Sequence, residues 1–208
     1  ETVAIVGESG SGKSVSAKAI MGILAKNGTI DRGQITFSYY RNPEERVTRE
    51  ILQMKKEEIR RHINGKRIAM VFQDPMTSLN PLMPVGKQIM EGMIWHYHTP
   101  KEEAYEKALE LMKLVGITDA EKRIKNYPHQ LSGGMRQRIV IAIALACDPE
   151  LLICDEPTTA LDVTIQSKIL ELIQEIQKKR QLVRKVSAGF LNPFLSFRVE
   201  LFRNGIQA

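Results

Sequence analysis

A short segment near the start of the sequence carries the residue types that bind a phosphate chain. It reads Gly7-Glu8-Ser9-Gly10-Ser11-Gly12-Lys13-Ser14 and is followed by Val15. The glycines let the backbone curl until several N–H donors point inward at one anion. Lys13 would then reach the β- and γ-phosphates, while the Ser14 hydroxyl would bind Mg²⁺. The segment therefore predicts a nucleotide-phosphate site formed by residues 7–15.

The residues on either side of this loop match the elements that such a site needs. The apolar run Val3–Val6 predicts a strand before the loop, and the apolar spacing of Ser14–Leu24 predicts a helix after it. The N-terminus of that helix would add a partial positive charge. The alternative is a turn rich in glycine and serine that fits the pattern by chance, but the flanking strand and helix favour the phosphate site.

A pair of carboxylates forms the second candidate site. Asp155 and Glu156 follow the apolar run Leu151–Cys154, which predicts a buried strand with both acids at its tip. Gln73 ends a second apolar segment, Arg67–Phe72, and parallel strands place ligands at such ends. Asp155 would hold Mg²⁺ through water, and Glu156 would face a water molecule rather than the metal. The alternative is that the two acids are ordinary turn residues.

The remaining chain predicts an alternation of helices and strands. Prolines disfavour a continuous helix or central strand between residues 74 and about 92. The other predicted elements are a short strand at 35–37, a charged helical stretch at 44–63, and helices at 101–115, 134–146 and 163–179.

Composition limits the classes of protein to which the chain can belong. Its 208 residues, 43% apolar and 26% charged, suit one globular domain or a domain with an inserted lobe. The longest strongly apolar run, residues 139–147, is shorter than the ~20 residues of a membrane-spanning helix. The net charge of +6 is interpreted as a solvated surface with a basic tail, because no basic run alternates with aromatic residues. We therefore expect no nucleic-acid partner, and we expect Cys147 and Cys154 to be buried thiols.

Four short motifs together resemble the ATP-binding-cassette ATPases. Leu131-Ser132-Gly133-Gly134-Met135-Arg136-Gln137-Arg138 resembles the signature sequence of that family. Gln73 in the sequence Val-Phe-Gln-Asp-Pro resembles its Q-loop, and Asp155 with Glu156 resembles its Walker B acid and catalytic glutamate. Asp162, preceded by Ala160 and Leu161, resembles the D-loop. The motifs occur in the family's order over residues 1 to about 180.

The resemblance implies a fold class and a division of the chain. The implied fold is α/β, a P-loop NTPase (RecA-like) core with a parallel sheet and an inserted α-helical subdomain, incomplete at both ends. Residues 1–74 and 148–180 would form the ATP-binding core, and residues 75–147 the helical subdomain that touches membrane subunits. Residues 181–208 would be an atypical tail.

The resemblance also implies a mechanism with ATP and Mg²⁺ as cofactors. Glu156 would be catalytic, while Ser14, Gln73 and Asp155 would serve the metal. Two such subunits, identical or different, would pair head to tail. Ser132, Gly133 and Gly134 of one would then contact the γ-phosphate held by the other, with Asp162 at the shared site.

The wording around these motifs narrows the resemblance to one group of importers. Residues 73–81 and 127–138 look most like the energy subunits of oligopeptide, dipeptide and nickel importers. The implied partners are a second ATPase subunit, transmembrane permease subunits and, indirectly, an extracytoplasmic substrate-binding protein. The implied location is peripheral, on the cytoplasmic face of the membrane.

Both ends of the chain depart from the family pattern. The family's N-terminal antiparallel sheet would precede Glu1, so we expect an N-terminal truncation. The family also has a buried strand ending in Thr-His-Asp after the 163–179 helix, whereas the four histidines here are at positions 62, 96, 98 and 129. We expect a frameshift or truncated reading near residue 180, or else a divergent C-terminus. Within the tail, Leu195–Phe202 alternates in the manner of a half-exposed edge strand.

Two other functions remain open from the sequence. One is a nucleotide-binding but hydrolysis-deficient fragment or inactive gene product, which the missing switch histidine favours. The other is a family member that acts on DNA or ribosomes without transport. That class predicts inserted coiled coils or zinc-binding cysteine pairs, and the sequence has neither.

Overall fold

The structure is a computed structural model that describes residues 8, 10–42, 44–72, 75–155, 171 and 197–200. It divides into two compact units, which are described separately. The first unit comprises Glu1–Ile68 with Phe194–Ala208, and the second comprises Ala69–Pro193. The predicted strand at 3–6 lies outside the described residues, as does the predicted helix at 163–179 except for residue 171. The predicted boundaries at residues 74, 147 and 180 stay a prediction.

The first helix, α1, spans Lys13–Ile20 and ends four residues before the predicted Leu24. Its end is a Schellman motif, in which Gly22 N donates to Ala19 O at 3.0 Å and Ile23 N donates to Lys18 O at 3.0 Å. Gly22 has a φ of 64°, in the left-handed region that favours glycine. The helix therefore stops here rather than at Leu24, because Gly22 allows the backbone to reverse.

An antiparallel sheet forms the rest of the first unit. Strand β1 spans Gln34–Asn42 and pairs with β2, which spans Glu45–Glu50. On its other edge β1 pairs with β5, which spans Phe197–Glu200, so the order is β2-β1-β5. The predicted strand at 35–37 is therefore confirmed as part of a longer strand. The predicted edge strand at 195–202 is also confirmed over its four described residues.

The predicted helical stretch at 44–63 is wrong for its first half. Residues 45–50 form β2, a 3-10 turn follows at Ile51–Gln53, and helix α2 occupies only Lys56–His62. The turn into β2 is closed by Asn42, whose Oδ1 accepts from the backbone N of Glu44 and of Glu45. Pairing with β1 thus overrides the helical propensity of the charged residues, because strand formation depends on cross-strand neighbours.

Two neighbouring strands of a parallel sheet lie in the second unit. Strand β3 spans Ile68–Val71 and is buried throughout, as predicted. Strand β4 spans Leu151–Cys154 beside it. The prediction of a buried strand is wrong for β4, whose first three residues are half-buried and whose last is exposed. The prediction of two buried cysteines is right for Cys147 and wrong for Cys154, which is exposed. Cys154 is the last residue of β4, where the strand leaves the packed part of the sheet.

The helices of the second unit surround one apolar cluster. The predicted helices at 101–115 and 134–146 are confirmed to within one residue. No helix among the described residues is long and apolar enough to cross a membrane. The elements are α3 at Pro75–Ser78, α4 at Val85–Tyr97, α5 at Lys101–Leu114, α6 at Ala120–Arg123, a 3-10 turn at Pro128–Gln130, and α7 at Gly133–Leu145.

The expectation that no continuous helix forms before about residue 92 is wrong from Val85 onward. Pro84 occupies the N-cap position of α4, and proline is tolerated at a helix start because the first N–H groups lack helical partners. Here backbone carbonyls of a neighbouring segment accept hydrogen bonds from these first N–H groups. Val85 N donates to Asn126 O at 2.9 Å, and Gly86 N donates to Ile124 O at 3.0 Å.

The close approach at Gly86 predicts a specific loss of stability. A Cβ at Gly86 would lie 2.3 Å from Ile124 Cγ1 and 2.6 Å from Ile124 O. Gly86→Ala should therefore lower the free energy of unfolding by about 1–3 kcal/mol through overpacking. Urea denaturation followed by circular dichroism measures this change.

Gly133→Ala is the matched control, because a Cβ at the first residue of α7 would meet no atom of the described residues within 4 Å. Its unfolding free energy should stay unchanged or rise slightly, since alanine favours a helix. Equal losses for the two variants would contradict the packing argument.

Candidate functional site

The predicted phosphate loop, residues 7–15, is described at residue 8 and from residue 10 onward. Its described part before α1 is a tight turn. Ser11 N donates to Glu8 O at 3.1 Å, and Gly10 and Gly12 have φ values of 81° and 91°. No atom of the described residues lies within 4 Å of the position that a Cβ would occupy at Gly10 or Gly12. Backbone conformation rather than packing therefore demands these glycines, and the space beside them is open.

The Lys13 side chain folds back over this loop. Lys13 is the first residue of α1, and its Nζ donates to the carbonyl oxygen of Glu8 at 2.9 Å. Ser14 and Val15 complete the first turn, and both are half-buried. A lysine ammonium, a helix N-terminus and open loop backbone thus lie together, which is the arrangement that binds phosphate. Gly7 and Ser9 lie outside the described residues.

The signature residues form the N-terminus of α7 in the second unit. Ser132 is the N-cap, and its Oγ accepts from Met135 N at 3.4 Å. Gly133 is exposed and Gly134 is buried. Since a Cβ at Gly133 would meet nothing within 4 Å, contacts within the described chain do not require glycine there. The helix terminus is therefore open to an anion from outside the chain.

Two arginines of the same motif have structural roles that the sequence analysis missed. Arg136 Nε donates to Pro128 O at 2.8 Å, and one Arg138 guanidinium nitrogen donates to Val115 O at 2.6 Å. That nitrogen lies 2.4 Å from the position that a Cβ at residue 116 would occupy, and Gly116 has a φ of 75°. The sequence signal was the predicted helix end at residue 115, because the last carbonyls of a helix need an added donor.

Asp155 follows β4 and is half-buried. Its backbone N donates to Val71 O at 3.0 Å, which continues the pairing of the two strands by one residue. The neighbouring Cys154 is exposed as a residue, but the protein around its thiol still desolvates it and raises the pKa of Cys154 to about 11. That thiol is therefore protonated at neutral pH and does not add a charge beside Asp155.

The structure groups only some of the predicted site residues. Glu8 and residues 10–15 lie together in the first unit, whereas Asp155 and residues 132–134 belong to the second. Gln73, Glu156 and Asp162 lie outside the described residues. The roles predicted for all of them stay predictions.

Curated relatives of this chain are ATP-binding proteins of peptide transport. The chain is 55% identical over 180 residues to the dipeptide transport ATP-binding protein DppD of Lactococcus lactis. It is 53% identical over 180 residues to the oligopeptide transport ATP-binding protein OppD of Bacillus subtilis. These alignments cover 86% of this chain and 49% and 48% of the relatives. The chain thus spans about half the length of the relatives that it matches.

The fold is similar to that of solved ATP-binding cassettes. A dimeric structure of the cassette MJ0796 in a post-hydrolysis state, bound to ADP and Pi, matches with a TM-score of 0.66 and 28% identity. The match covers 83% of this chain and 68% of that chain. The predicted fold class, an α/β P-loop NTPase with a parallel sheet, is confirmed. Residues 1–159 also match the ABC transporter family, and the chain therefore belongs to that family.

Proposed function

We propose that this chain is the ATP-binding and ATP-hydrolysing energy-coupling part of an importer for dipeptides or oligopeptides. The observation that carries the proposal is the loop of residues 10–13, where Gly10 and Gly12 have left-handed φ angles and the Lys13 ammonium lies across the loop to Glu8 O. The described residues leave the space beside both glycines open. The relatives' names supply the substrate class. The proposed location is the cytoplasmic face of the membrane, as a peripheral subunit.

The residues present fit ATP with Mg²⁺. The open backbone at Gly10 and Gly12 suits close approach of phosphate oxygens, and Lys13 supplies a cation. The Ser14 hydroxyl and the Asp155 carboxylate, with Gln73, are hard oxygen ligands of the kind that Mg²⁺ takes. When bound, the metal would neutralise charge that develops on the phosphates. Glu156 would orient or deprotonate the attacking water.

The partner that fits the open N-terminus of α7 is a second ATPase subunit. In a head-to-tail pair, Ser132 and Gly133 would face the γ-phosphate that a second subunit holds with its own Lys13. The exposed Gly133 supports this arrangement, because nothing in the described chain uses its space. The related cassette MJ0796 is itself dimeric. Permease subunits and, through them, a substrate-binding protein complete the proposed assembly.

A second candidate function is nucleotide binding with little or no hydrolysis. Residues 197–200 form β5 beside β1, and the four histidines at 62, 96, 98 and 129 all precede Asp155 in the sequence. The tail therefore offers no histidine that could contact the γ-phosphate. Small errors in positioning are enough to slow chemistry, since a displacement of about 1 Å can reduce a rate 10²-fold.

Loss of the Lys13 charge should abolish nucleotide binding without unfolding the protein. Lys13→Met should weaken affinity for a non-hydrolysable ATP analogue with Mg²⁺ about 100-fold or more, because a close charge pair is lost. Lys18→Met, at an exposed position of the same helix, is the matched control and should change affinity less than about twofold. Isothermal titration calorimetry measures both. Equal affinities for the two variants would place the nucleotide elsewhere.

Steady-state turnover separates the two candidate functions. Removal of a catalytic base lowers the rate of the chemical step about 10²–10⁴-fold. The Glu156→Gln variant therefore gives the rate of hydrolysis without that group. If the chain hydrolyses ATP as proposed, its turnover should exceed that of Glu156→Gln by at least 10²-fold. Equal turnover of the two proteins, with ATP still bound by both, would establish the non-hydrolysing alternative.

Mixing two defective chains tests the head-to-tail pair. Lys13→Met removes the phosphate cation, and Gly133→Asp places a carboxylate where the γ-phosphate would lie. Both are combined with Glu156→Gln, so that ATP persists. Neither variant alone has an intact shared site, but a mixed pair has one. ATP should therefore produce dimers in the mixture only, as measured by analytical ultracentrifugation. A mixture that stays monomeric would show that the pairing is not head to tail.

A further inference from the structure

Hydrophobic burial alone does not decide how α7 is rotated about its own axis. From residue 139 to residue 145 the helix is apolar on every side. A helix with one apolar stripe turns that stripe to the core, whereas an all-apolar helix can rotate and still bury apolar side chains. Rotation of α7 would swing its exposed start, Ser132 and Gly133, around the axis. The direction in which these two residues face therefore needs another constraint.

The N-cap of α7 is not that constraint. Ser132 Oγ accepts from Met135 N at 3.4 Å, which is longer than the usual range of about 2.7–3.2 Å for an N–H···O bond. The cap also joins two residues of the same helix end, so it turns with the helix. Bonds to other segments are needed to fix the rotation.

Two arginines near the start of α7 make such bonds. Arg136 Nε donates to Pro128 O at 2.8 Å, in the 3-10 turn that precedes the helix. An Arg138 guanidinium nitrogen donates to Val115 O at 2.6 Å, at the end of α5. Both arginines are half-buried. Arg136 and Arg138, here called the arginine clamp, thus tie α7 to two different segments of the second unit.

The two bonds leave α7 on either side of its buried face. Successive residues of an α-helix are about 100° apart around the axis, so Arg136 and Arg138 are separated by about 200°. Gln137 lies between them and is 0% exposed. Because one bond lies on each side of this buried line, the arginine clamp opposes rotation in both directions.

Gly116 leaves room for one half of the arginine clamp. A side chain at residue 116 would begin 2.4 Å from the Arg138 nitrogen that donates to Val115 O. Any residue larger than glycine would therefore displace the guanidinium. This gives a way to disturb the clamp without changing either arginine.

We propose that Arg136 and Arg138 are positioning residues, which fix the direction of Ser132 and Gly133 toward the γ-phosphate held by a second subunit. This inference rests on the proposed function, because only a head-to-tail pair brings a phosphate to this end of α7. Cα atoms lie about 2.3 Å from a helix axis, so a rotation of about 25° displaces Gly133 by about 1 Å. Hydrogen bonds to a phosphate weaken steeply with such a change in geometry.

ATP-driven pairing of chains that carry Glu156→Gln tests the arginine clamp. Arg138→Met in this background should weaken pairing about tenfold, because the start of α7 can then turn. Analytical ultracentrifugation with ATP and Mg²⁺ measures the pairing. Affinity for ADP with Mg²⁺, measured by calorimetry, should stay within about twofold, because Lys13 and its loop are unaltered. Arg136→Met breaks the other bond and should also weaken pairing, so the test does not depend on one variant that folds.

Arg123→Met is the matched control. Arg123 Nε donates to Thr118 O at 3.0 Å, so this bond also joins a guanidinium to a carbonyl of the second unit, but within one short segment. Pairing of this variant should stay within about twofold of the Glu156→Gln chain. Equal losses for Arg123→Met and Arg138→Met would show a general effect of losing an arginine and would overturn the proposal.

A double-mutant cycle separates positioning from stability. Gly116→Ala should weaken pairing when Arg138 is present and should have no further effect on pairing in the Arg138→Met background. Its cost in free energy of unfolding should persist in both backgrounds, because alanine is strained at a φ of 75° whatever residue stands at position 138. Independent, additive losses of pairing would exclude the positioning role.

The same measurements distinguish failure of this inference from failure of the proposed function. If the Glu156→Gln chain binds ATP but does not pair, the proposed head-to-tail pair is wrong and the arginine clamp has no such role. If the chain pairs and neither Arg136→Met nor Arg138→Met weakens pairing, only the clamp is overturned.

Discussion

The second unit depends on the burial of α7. After Arg138 this helix is apolar on all sides, so it is stable only when other elements cover it. Helices α3, α4 and α5 pack against it, and its residues Ile139 and Ile141 are fully buried. Its N-terminus nevertheless reaches the surface at Ser132 and Gly133. Burial of one end therefore fixes the position and direction of the helix terminus at the other end, where the anion site is proposed.

Side chains and distant carbonyls complete hydrogen bonds that the helices of this unit leave open. Arg138 supplies the donor that Val115 O needs at the end of α5, and residues 124 and 126 supply acceptors for the start of α4. The Gln88 side chain does the same for the loop before α4, where its Nε2 donates to Asn80 O and Met83 O. Buried backbone groups must be paired, and here their partners come from other segments. Each of these bonds therefore connects one segment of the chain to another. Loops that carry surface residues are thereby bonded to buried groups of the same unit.

In the predicted phosphate loop, residues 7–15, a side chain also donates to a backbone carbonyl, but at an exposed position. The Lys13 ammonium donates to Glu8 O, so the cation already lies across the loop that it would share with a phosphate. No side chain in the described part of the protein fills the space beside the glycines. In the proposed pair, the loop with Lys13 comes from one subunit and the N-terminus of α7 comes from the other. Under that proposal, hydrolysis would depend on assembly of the pair.

Local sequence alone determined the elements with strong signals. The glycine loop, the apolar strand at 68–71 and the helices at 101–114 and 133–145 follow from turn chemistry and periodicity, which neighbours in sequence decide. Local sequence also identified the family, because the motifs that define it are short contiguous runs of residues.

Tertiary structure decided the features that depend on residues far apart in the chain. Residues 45–50 became β2 because β1 offered them cross-strand partners, and α4 began at Val85 because carbonyls near residue 125 accepted its first N–H groups. The bond from Arg138 to Val115 and the bond from Gln88 to Met83 likewise join segments that no local pattern relates. Propensity and spacing describe a residue's neighbours in sequence, whereas these hydrogen bonds exist only once the chain has folded.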